Sequence, residues 1–390
     1  MFAVLGIILS LFALLEVSNR IKYNSKAYYF FAILLLVMLC FRYGQGTDYH
    51  AYELQYEYIN RAGRLLVNTL YHGELGWYVL MFVSKRIGLS FSLFIGVLSL
   101  LMMLSTIKAI NKYSPYKIFS LLLLYPTFYL TYFYSAVRQG LVLSLFLCFG
   151  LEWLLNKKYL RYCILMIILA LFHSSAIVLL VLPIALHFRD RRPGKWVLFA
   201  FLFMIVVGYT GVLNGIGNRM GRGSYFSVSI SVMAIVLRSI LFCIIYSLFK
   251  ATDTDIDSKW ELERTLYYIY VVGFLLYIMF AFSGVLSQRM TMPMKGIEVI
   301  LIPMLVAKLY KCRSEGRLIG SRKFMFLRIG QSSVLLVVLI VILALDVEMI
   351  KNINSYLVQG NYYDWVNVFN YPYVSVFNKE DIFKYISHFD

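Results

Sequence analysis

The fold class this sequence predicts is an all-α polytopic membrane protein, and three observations predict it. Hydrophobic residues make up 61% of the 390 and the mean hydropathy is +0.74. Apolar runs recur from end to end, which no single soluble core of this length requires. The runs are also interrupted by short polar stretches, the pattern of a chain that satisfies its backbone inside lipid by forming one helix after another.

The first element, MFAVLGIILSLFALLEVS, lacks a basic leader and a small-residue cleavage site, and Arg20, Lys22 and Lys26 come after it. It reads as a retained helix with its N-terminus outside. In order, spanning helices are predicted near residues 1–17, 27–43, 91–108, 116–133, 135–154, 160–173, 174–188, 196–212, 229–249, 264–283, 296–309 and 329–346, about twelve in all. The piece ELGWYVLMFVSKRI, residues 74–87, is ambiguous, since at ~1.5 Å per residue it reaches only ~21 Å against a ~30 Å hydrocarbon core. Charge decides its reading. If it lies on or dips into the outer face, Lys308, Lys311, Arg313, Arg317, Arg322, Lys323 and Arg328 fall on the cytoplasmic side, as the positive-inside bias demands. Both termini are then outside. The chain divides into a transmembrane domain over residues 1–346, with outer loops at 44–90 and 213–228, and an outward-facing aromatic-rich tail over 347–390.

The same topology accounts for the net charge of +17. The basic excess is topological, so it does not point to nucleic acid, and no basic stripe with interleaved aromatics appears. Membrane lipids, anionic ones in particular, are the partner it suggests. Of the five cysteines, four lie in apolar runs and Cys312 at the cytoplasmic side, so none suggests a disulfide or a metal site. No internal repeat is visible, which argues against a transporter built from inverted halves. There is no P-loop, dinucleotide fingerprint or zinc spacing, and no cytoplasmic domain to hold a nucleotide sugar.

The polar residues that remain gather at predicted outer helix ends. FRYGQGTDYHAYELQYEY, residues 41–58, brings Arg42, Asp48 and Tyr49 to the end of the second helix. TYFYSAVRQG places Ser135, Arg138 and Gln139 on one helical face by their spacing. His173 ends one helix where Ser174 and Ser175 begin the next. Arg219 and Arg222 lie between glycines in GIGNRMGRGSYF, and Gln288 and Arg289 open a late helix. Arg238 lies near mid-membrane, where an unpaired charge costs at least ~2.5 kcal/mol, so it must face a partner or a cavity. A planar guanidinium binds phosphate oxygens bidentately and stays charged, so several arginines at one membrane face suit a pyrophosphate headgroup. Each has a plainer reading beside this one. The arginines can snorkel to lipid headgroups, Asp48 can cap the following helix, and His173 can be a satisfied interfacial histidine.

In order, the motifs FRYGQGTDYHAY, YFYSAVRQGLVLSL, LFHSSAIVLLVLP and QRM resemble the EpsG/Wzy family of polysaccharide polymerases across residues 30–300. The resemblance implies a GT-C-like membrane architecture and a glycosyltransferase that joins lipid-linked oligosaccharide repeat units at the outer leaflet of the bacterial inner membrane. Carried onto this chain, it assigns Arg42, Gly46, Asp48 and Tyr49 to the first motif, Arg138 and Gln139 to the second and His173 to the third. The implied donor is undecaprenyl-pyrophosphate-linked oligosaccharide, and a chain-length regulator is a possible protein partner. The expected chemistry is displacement at the anomeric carbon by a sugar hydroxyl. Arg138, Arg289, Arg222 and Arg219 or Arg238 would neutralise the pyrophosphate, and Asp48 or His173 would orient or deprotonate the acceptor. No metal or other cofactor is required. An O-antigen ligase and a non-enzymatic flippase for lipid-linked oligosaccharides remain as alternatives.

Overall fold

The structure is a computed structural model that describes residues 1–18, 25–59, 74–187, 194–210, 227–252, 261–314, 331–358 and 367–380. Among the described residues the regular structure is all helix apart from two isolated β-bridges. The helices are α1 (Phe2–Val17), α2 (Ser25–Cys40), α3 (Tyr49–Tyr58), α4 (Leu75–Arg86), α5 (Phe91–Tyr113), α6 (Lys117–Leu124) and α7 (Val137–Leu155). They continue as α8 (Tyr159–Ala170), α9 (Ser174–His187), α10 (Gly194–Thr210), α11 (Val232–Thr252), α12 (Glu261–Met279), α13 (Gly284–Lys295), α14 (Glu298–Ser314) and α15 (Gln331–Ile353).

Among the described residues, four of these, α5, α7, α11 and α12, are long and apolar enough to cross a membrane, and a fifth span results if α13 and α14, bent by 50°, act as one. The expectation of about twelve full spans in a GT-C-like architecture is therefore corrected. A helix stands at each predicted segment, but α1, α2, α8, α9 and α10 count among the shorter apolar helices of 10–17 residues. At ~1.5 Å per residue, sixteen residues reach ~24 Å. Hydropathy locates such a run without registering where its helix stops. The apolar faces nonetheless turn outward: Phe30, Ile33, Leu160, Leu198, Val232 and Met233 are all more than half exposed. Apolar surface on that scale fits a lipid surround rather than water.

The chain forms two compact units, residues 1–148 with 329–390, and residues 149–328. In the first, α1 packs between α6 and α15, while α2 packs on α5 and α5 on α7. Buried polar groups fix these contacts. Glu16 on α1 accepts the N–H groups of Lys117 and Phe119 at 3.1 and 3.0 Å, capping the N-terminus of α6 from outside that helix. Ser10 donates to Asp346, and Asn352 donates to the Pro126 carbonyl, both from α15 or toward it. Beyond α6 the chain widens into a π-helix, Tyr125–Phe133, and breaks at residues 134–136 before α7 begins. A π-turn of this kind is costly and recurs beside functional sites. Here it delivers Tyr134, Ser135 and Arg138.

In the second unit α9 packs on α8 and α13, and α12 packs on α10 and α13. Residue Ser229 bridges to Ser283, and its hydroxyl accepts the Gly284 N–H at 3.1 Å, fixing the start of α13.

Candidate functional site

The end of α2 leaves carbonyls that no fifth turn can satisfy, and distant side chains take them up. Tyr134 Oη donates to the Met38 carbonyl at 3.2 Å and Tyr373 Oη to the same carbonyl at 3.0 Å, while Tyr129 Oη adds a hydrogen bond to the Leu35 carbonyl, inside the helix, at 2.7 Å. Arg42 Nη1 donates to the Leu39 carbonyl at 3.0 Å and to Ser99 Oγ at 3.1 Å. Its guanidinium lies 4.9 Å from the Tyr134 ring centroid. A cation at a helix C-terminus is favoured by the dipole, and Arg42 is only 1% exposed. Its Nε and Nη2 are buried with no hydrogen-bond partner among the described residues. This predicted ligand residue is thus part of the frame.

From Arg42 the loop turns toward the break before α7. Gly46 has φ +103°, and a Cβ there would lie 2.3 Å from the Tyr134 carbonyl oxygen. Only glycine permits both that conformation and that approach. The approach lets Thr47 donate its N–H to Ser135 Oγ at 3.1 Å, which joins the two predicted motifs directly.

Asp48 then stands at the N-cap of α3, but its side chain makes no cap hydrogen bond. It accepts from Tyr52 Oη at 3.5 Å and from Thr47 Oγ1 at 3.2 Å instead. Tyr52 in turn accepts from Arg138 Nε at 3.4 Å, and the Arg138 guanidinium lies 5.5 Å from the Tyr52 ring centroid. Burial pushes the Tyr52 phenol up, against the pull of Arg138. Arg138 Nη1 completes the set with a salt bridge to Glu74. The Arg138 side chain remains 22% exposed, so the guanidinium is held on two sides and reachable on another.

Aromatic packing keeps this arrangement in place. Tyr52 and Phe94 both lie against the buried Trp77 of α4, with centroids at 5.1 and 5.6 Å. Lys85 donates to the Tyr56 and Glu57 carbonyls at 2.8 and 2.6 Å, so α4 also caps the end of α3. Tyr49 is buried edge-on to Phe91, and burial raises its phenol to about 12. Gln139 is buried one residue beyond Arg138.

The first unit therefore gathers Arg42, Asp48, Tyr49, Arg138 and Gln139 around one loop. His173, Arg238 and Arg289 belong to the second unit. Arg219 and Arg222 lie outside the described residues. His173 occupies the N-cap of α9, where its Nδ1 accepts the Ser175 N–H at 3.3 Å and lies 2.6 Å from Ser175 Oγ. Arg238 lies 4.9 Å from the Tyr277 ring centroid, and its Nε and Nη2 find no hydrogen-bond partner among the described residues. Arg289 is partly buried on α13.

This geometry sits inside a region with known relatives, because the EpsG family model matches residues 26–328. The chain belongs to the EpsG family. No curated protein and no solved structure is significantly similar to it. Membership in the EpsG family is consistent with polysaccharide polymerase function and an enzymatic role.

Sequence reasoning missed two parts of the site. Glu74 carried a signal, a lone carboxylate heading an apolar helix. The other is the tail. Tyr43 donates its N–H to the Val374 carbonyl at 2.9 Å and Val376 to Phe41 at 3.0 Å, so residues 374–376 pair with 41–43 as a short β-bridge. Gln45 adds a hydrogen bond to the Pro372 carbonyl at 2.9 Å. The tail lies beyond the matched residues 26–328 yet braces the loop that opens them.

Proposed function

We propose that this EpsG-family protein is a glycosyltransferase that polymerises undecaprenyl-pyrophosphate-linked oligosaccharide repeat units at the outer leaflet of the bacterial inner membrane. The observation that supports this reading best is Arg138. It is a guanidinium fixed by Tyr52 and Glu74, still partly exposed, at the head of an apolar helix within the family's region.

In the proposed reaction a hydroxyl of the incoming lipid-linked unit attacks the anomeric carbon of the donor glycan. The bond from that carbon to the pyrophosphate oxygen breaks, and undecaprenyl pyrophosphate leaves with the electron pair. Arg138 takes the growing charge on the phosphate oxygens, as a preorganised donor does in a water-poor site. Asp48, tied to the same Tyr52 hydroxyl, receives the proton of the acceptor. Arg289, Arg238, Arg219 and Arg222 are further candidates for the phosphates, and His173 for the acceptor. Tyr49 and Gln139 are candidates for contacts on the sugar side, and Arg42 holds the loop. Membrane lipid surrounds the site, and a chain-length regulator is a candidate partner.

Deleting the gene and analysing surface and lipid-linked glycans tests the proposal. Loss of long chains with single repeat units retained on the outer leaflet or on lipid A is the expected result. Undiminished polymer held on the carrier would favour a ligase, and repeat units trapped on the cytoplasmic leaflet a flippase. Either would overturn the polymerase reading.

A further inference from the structure

The salt bridge between Glu74 and Arg138 poses a problem for any anion that Arg138 is to bind. A bidentate phosphate contact needs two parallel N–H groups of the guanidinium, and Glu74 already holds Nη1. A carboxylate and a phosphate oxygen cannot share that position without placing like charges together. The second N–H of Nη1 and both of Nη2 remain, but a phosphate taking the Nη1–Nη2 edge would lie beside the Glu74 carboxylate, so its binding favours the departure of Glu74.

It has a place to go. Glu74 is the N-cap residue of α4, with extended backbone angles of φ −89° and ψ 134°, yet its side chain makes no cap hydrogen bond. An N-cap carboxylate ordinarily accepts an N–H of the first turn, an arrangement helped further by the helix dipole. Rotation of one side chain moves the carboxylate from the guanidinium to the head of its own helix, with no change of backbone. Asp48 repeats the pattern at the head of α3, where it forgoes its cap for Tyr52. The two carboxylates thus approach the Tyr52–Arg138 pair from two different helices, but only Glu74 contacts the guanidinium directly.

We propose that Glu74 is an exchangeable counter-anion of Arg138, occupying the phosphate position when the site is empty and moving to the N-terminus of α4 when a pyrophosphate group binds. The proposal rests on the reading of Arg138 as a phosphate ligand and adds how that position is emptied and refilled. In the empty site the carboxylate keeps a partly buried cation paired, which avoids the cost of an isolated charge. After transfer, return of the carboxylate to Arg138 competes with the pyrophosphate of the departing carrier lipid and speeds its release.

Direct binding tests this without polymer formation. The full chain, purified in detergent, would be titrated with inorganic pyrophosphate as wild type, Glu74→Gln, Glu74→Asp and Glu74→Ser. Glu74→Gln removes the competing charge and should bind about tenfold more tightly, the gain when a competent state populated roughly one-tenth of the time becomes the only one. Glu74→Asp should return to within about threefold of wild type. Glu74→Ser supplies a favoured N-cap without charge, so it should match Glu74→Gln and serves as the test if the glutamine variant fails to fold. In an Arg138→Gln background the gain should vanish. Equal or weaker binding by both uncharged variants, or a gain that persists without Arg138, would overturn the proposal. Turnover gives a second measurement, with KM for the lipid-linked donor and kcat both expected to fall in Glu74→Ser. If pyrophosphate binding behaves as stated but no polymer forms with any variant, the polymerase reading fails and the exchange stands.

Discussion

Gly46 lies so close to Tyr134 that a methyl group on its Cα would sit 2.3 Å from the Tyr134 carbonyl oxygen. That contact sets the distance between the two motifs of the site, since the next residue makes the Thr47 to Ser135 hydrogen bond. Gly46→Ala must either move the backbone at the break before α7 or swing the loop away, and at φ +103° it is strained in any case. A loss of about 3 kcal/mol or more in unfolding free energy is expected. Gly88 is the matched control, with φ +85° but nothing within 4 Å of its would-be Cβ. Gly88→Ala should carry only the conformational cost of ~1–2 kcal/mol, and thermal unfolding of both variants in detergent checks the difference.

For Arg138, lysine keeps the charge and can reach a headgroup as well as arginine does, but it cannot make the paired planar contact to two phosphate oxygens. Losing one charge-assisted hydrogen bond of ~1.5–3 kcal/mol should slow polymerisation by roughly 10- to 150-fold in Arg138→Lys, at normal abundance. Arg161→Lys, exposed at the start of α8, should leave the rate unchanged. Tyr52→Phe removes the hydroxyl shared by Asp48 and Arg138 and should slow the reaction about fivefold, the kinetic equivalent of ~1 kcal/mol. Because Tyr52 acts through Arg138, the double variant should fall short of the product of the two effects. Initial rates with a lipid-linked repeat unit measure all four.

Tyr373 reaches back across the chain to the Met38 carbonyl at 3.0 Å. Tyr373→Phe retains the ring against Phe2 and deletes only the hydrogen bond. The expected cost is ~1 kcal/mol of stability. Limited proteolysis should then cut the tail faster in the variant, while insertion and abundance stay as in wild type.

Tyr49 gives a pH signature. Its phenol titrates near 12 in the folded protein because burial disfavours the phenolate, against about 10 when exposed. Above pH 10 the unfolded chain holds fewer protons at this residue than the folded one, so stability falls as pH rises toward 12. Below pH 10 the contribution is fully present. Tyr49→Phe should flatten that part of the stability profile, and denaturation midpoints measured from pH 9 to 12 would show it.

How much of this was legible in the sequence depends on the range of the interaction. Asp48, Arg138 and Ser135 could be singled out because polar residues at the ends of apolar runs mark a boundary, and the structure joins their two segments. Helix positions were legible for the same reason. Helix lengths were not, since hydropathy does not register a π-helical stretch such as Tyr125–Phe133 or a break such as residues 134–136. Glu74 stands 64 positions from Arg138, and no local spacing relates them. The tail lies farther still, with Tyr373 and Met38 separated by 335 positions. Its few bridging residues carry no alternation for a strand pattern to reveal. Arg42 was legible as important but not as a cap, because the carbonyls it serves belong to a helix end whose position only the fold defines.

The bridge between residues 41–43 and 374–376 also imposes an order on biogenesis. The loop emerges from the ribosome early, whereas its pairing partner emerges after all of residues 149–328, which form the other unit. Throughout that interval the backbone groups of Phe41 and Tyr43 lack their bridge partners, and the Met38 carbonyl lacks the Tyr373 hydroxyl. A truncated translation product can therefore insert most of its helices and still fail to fix the arginine-bearing loop. Completion of this loop is thus a late event, and a chain that ends within the second unit lacks the bridge to residues 374–376.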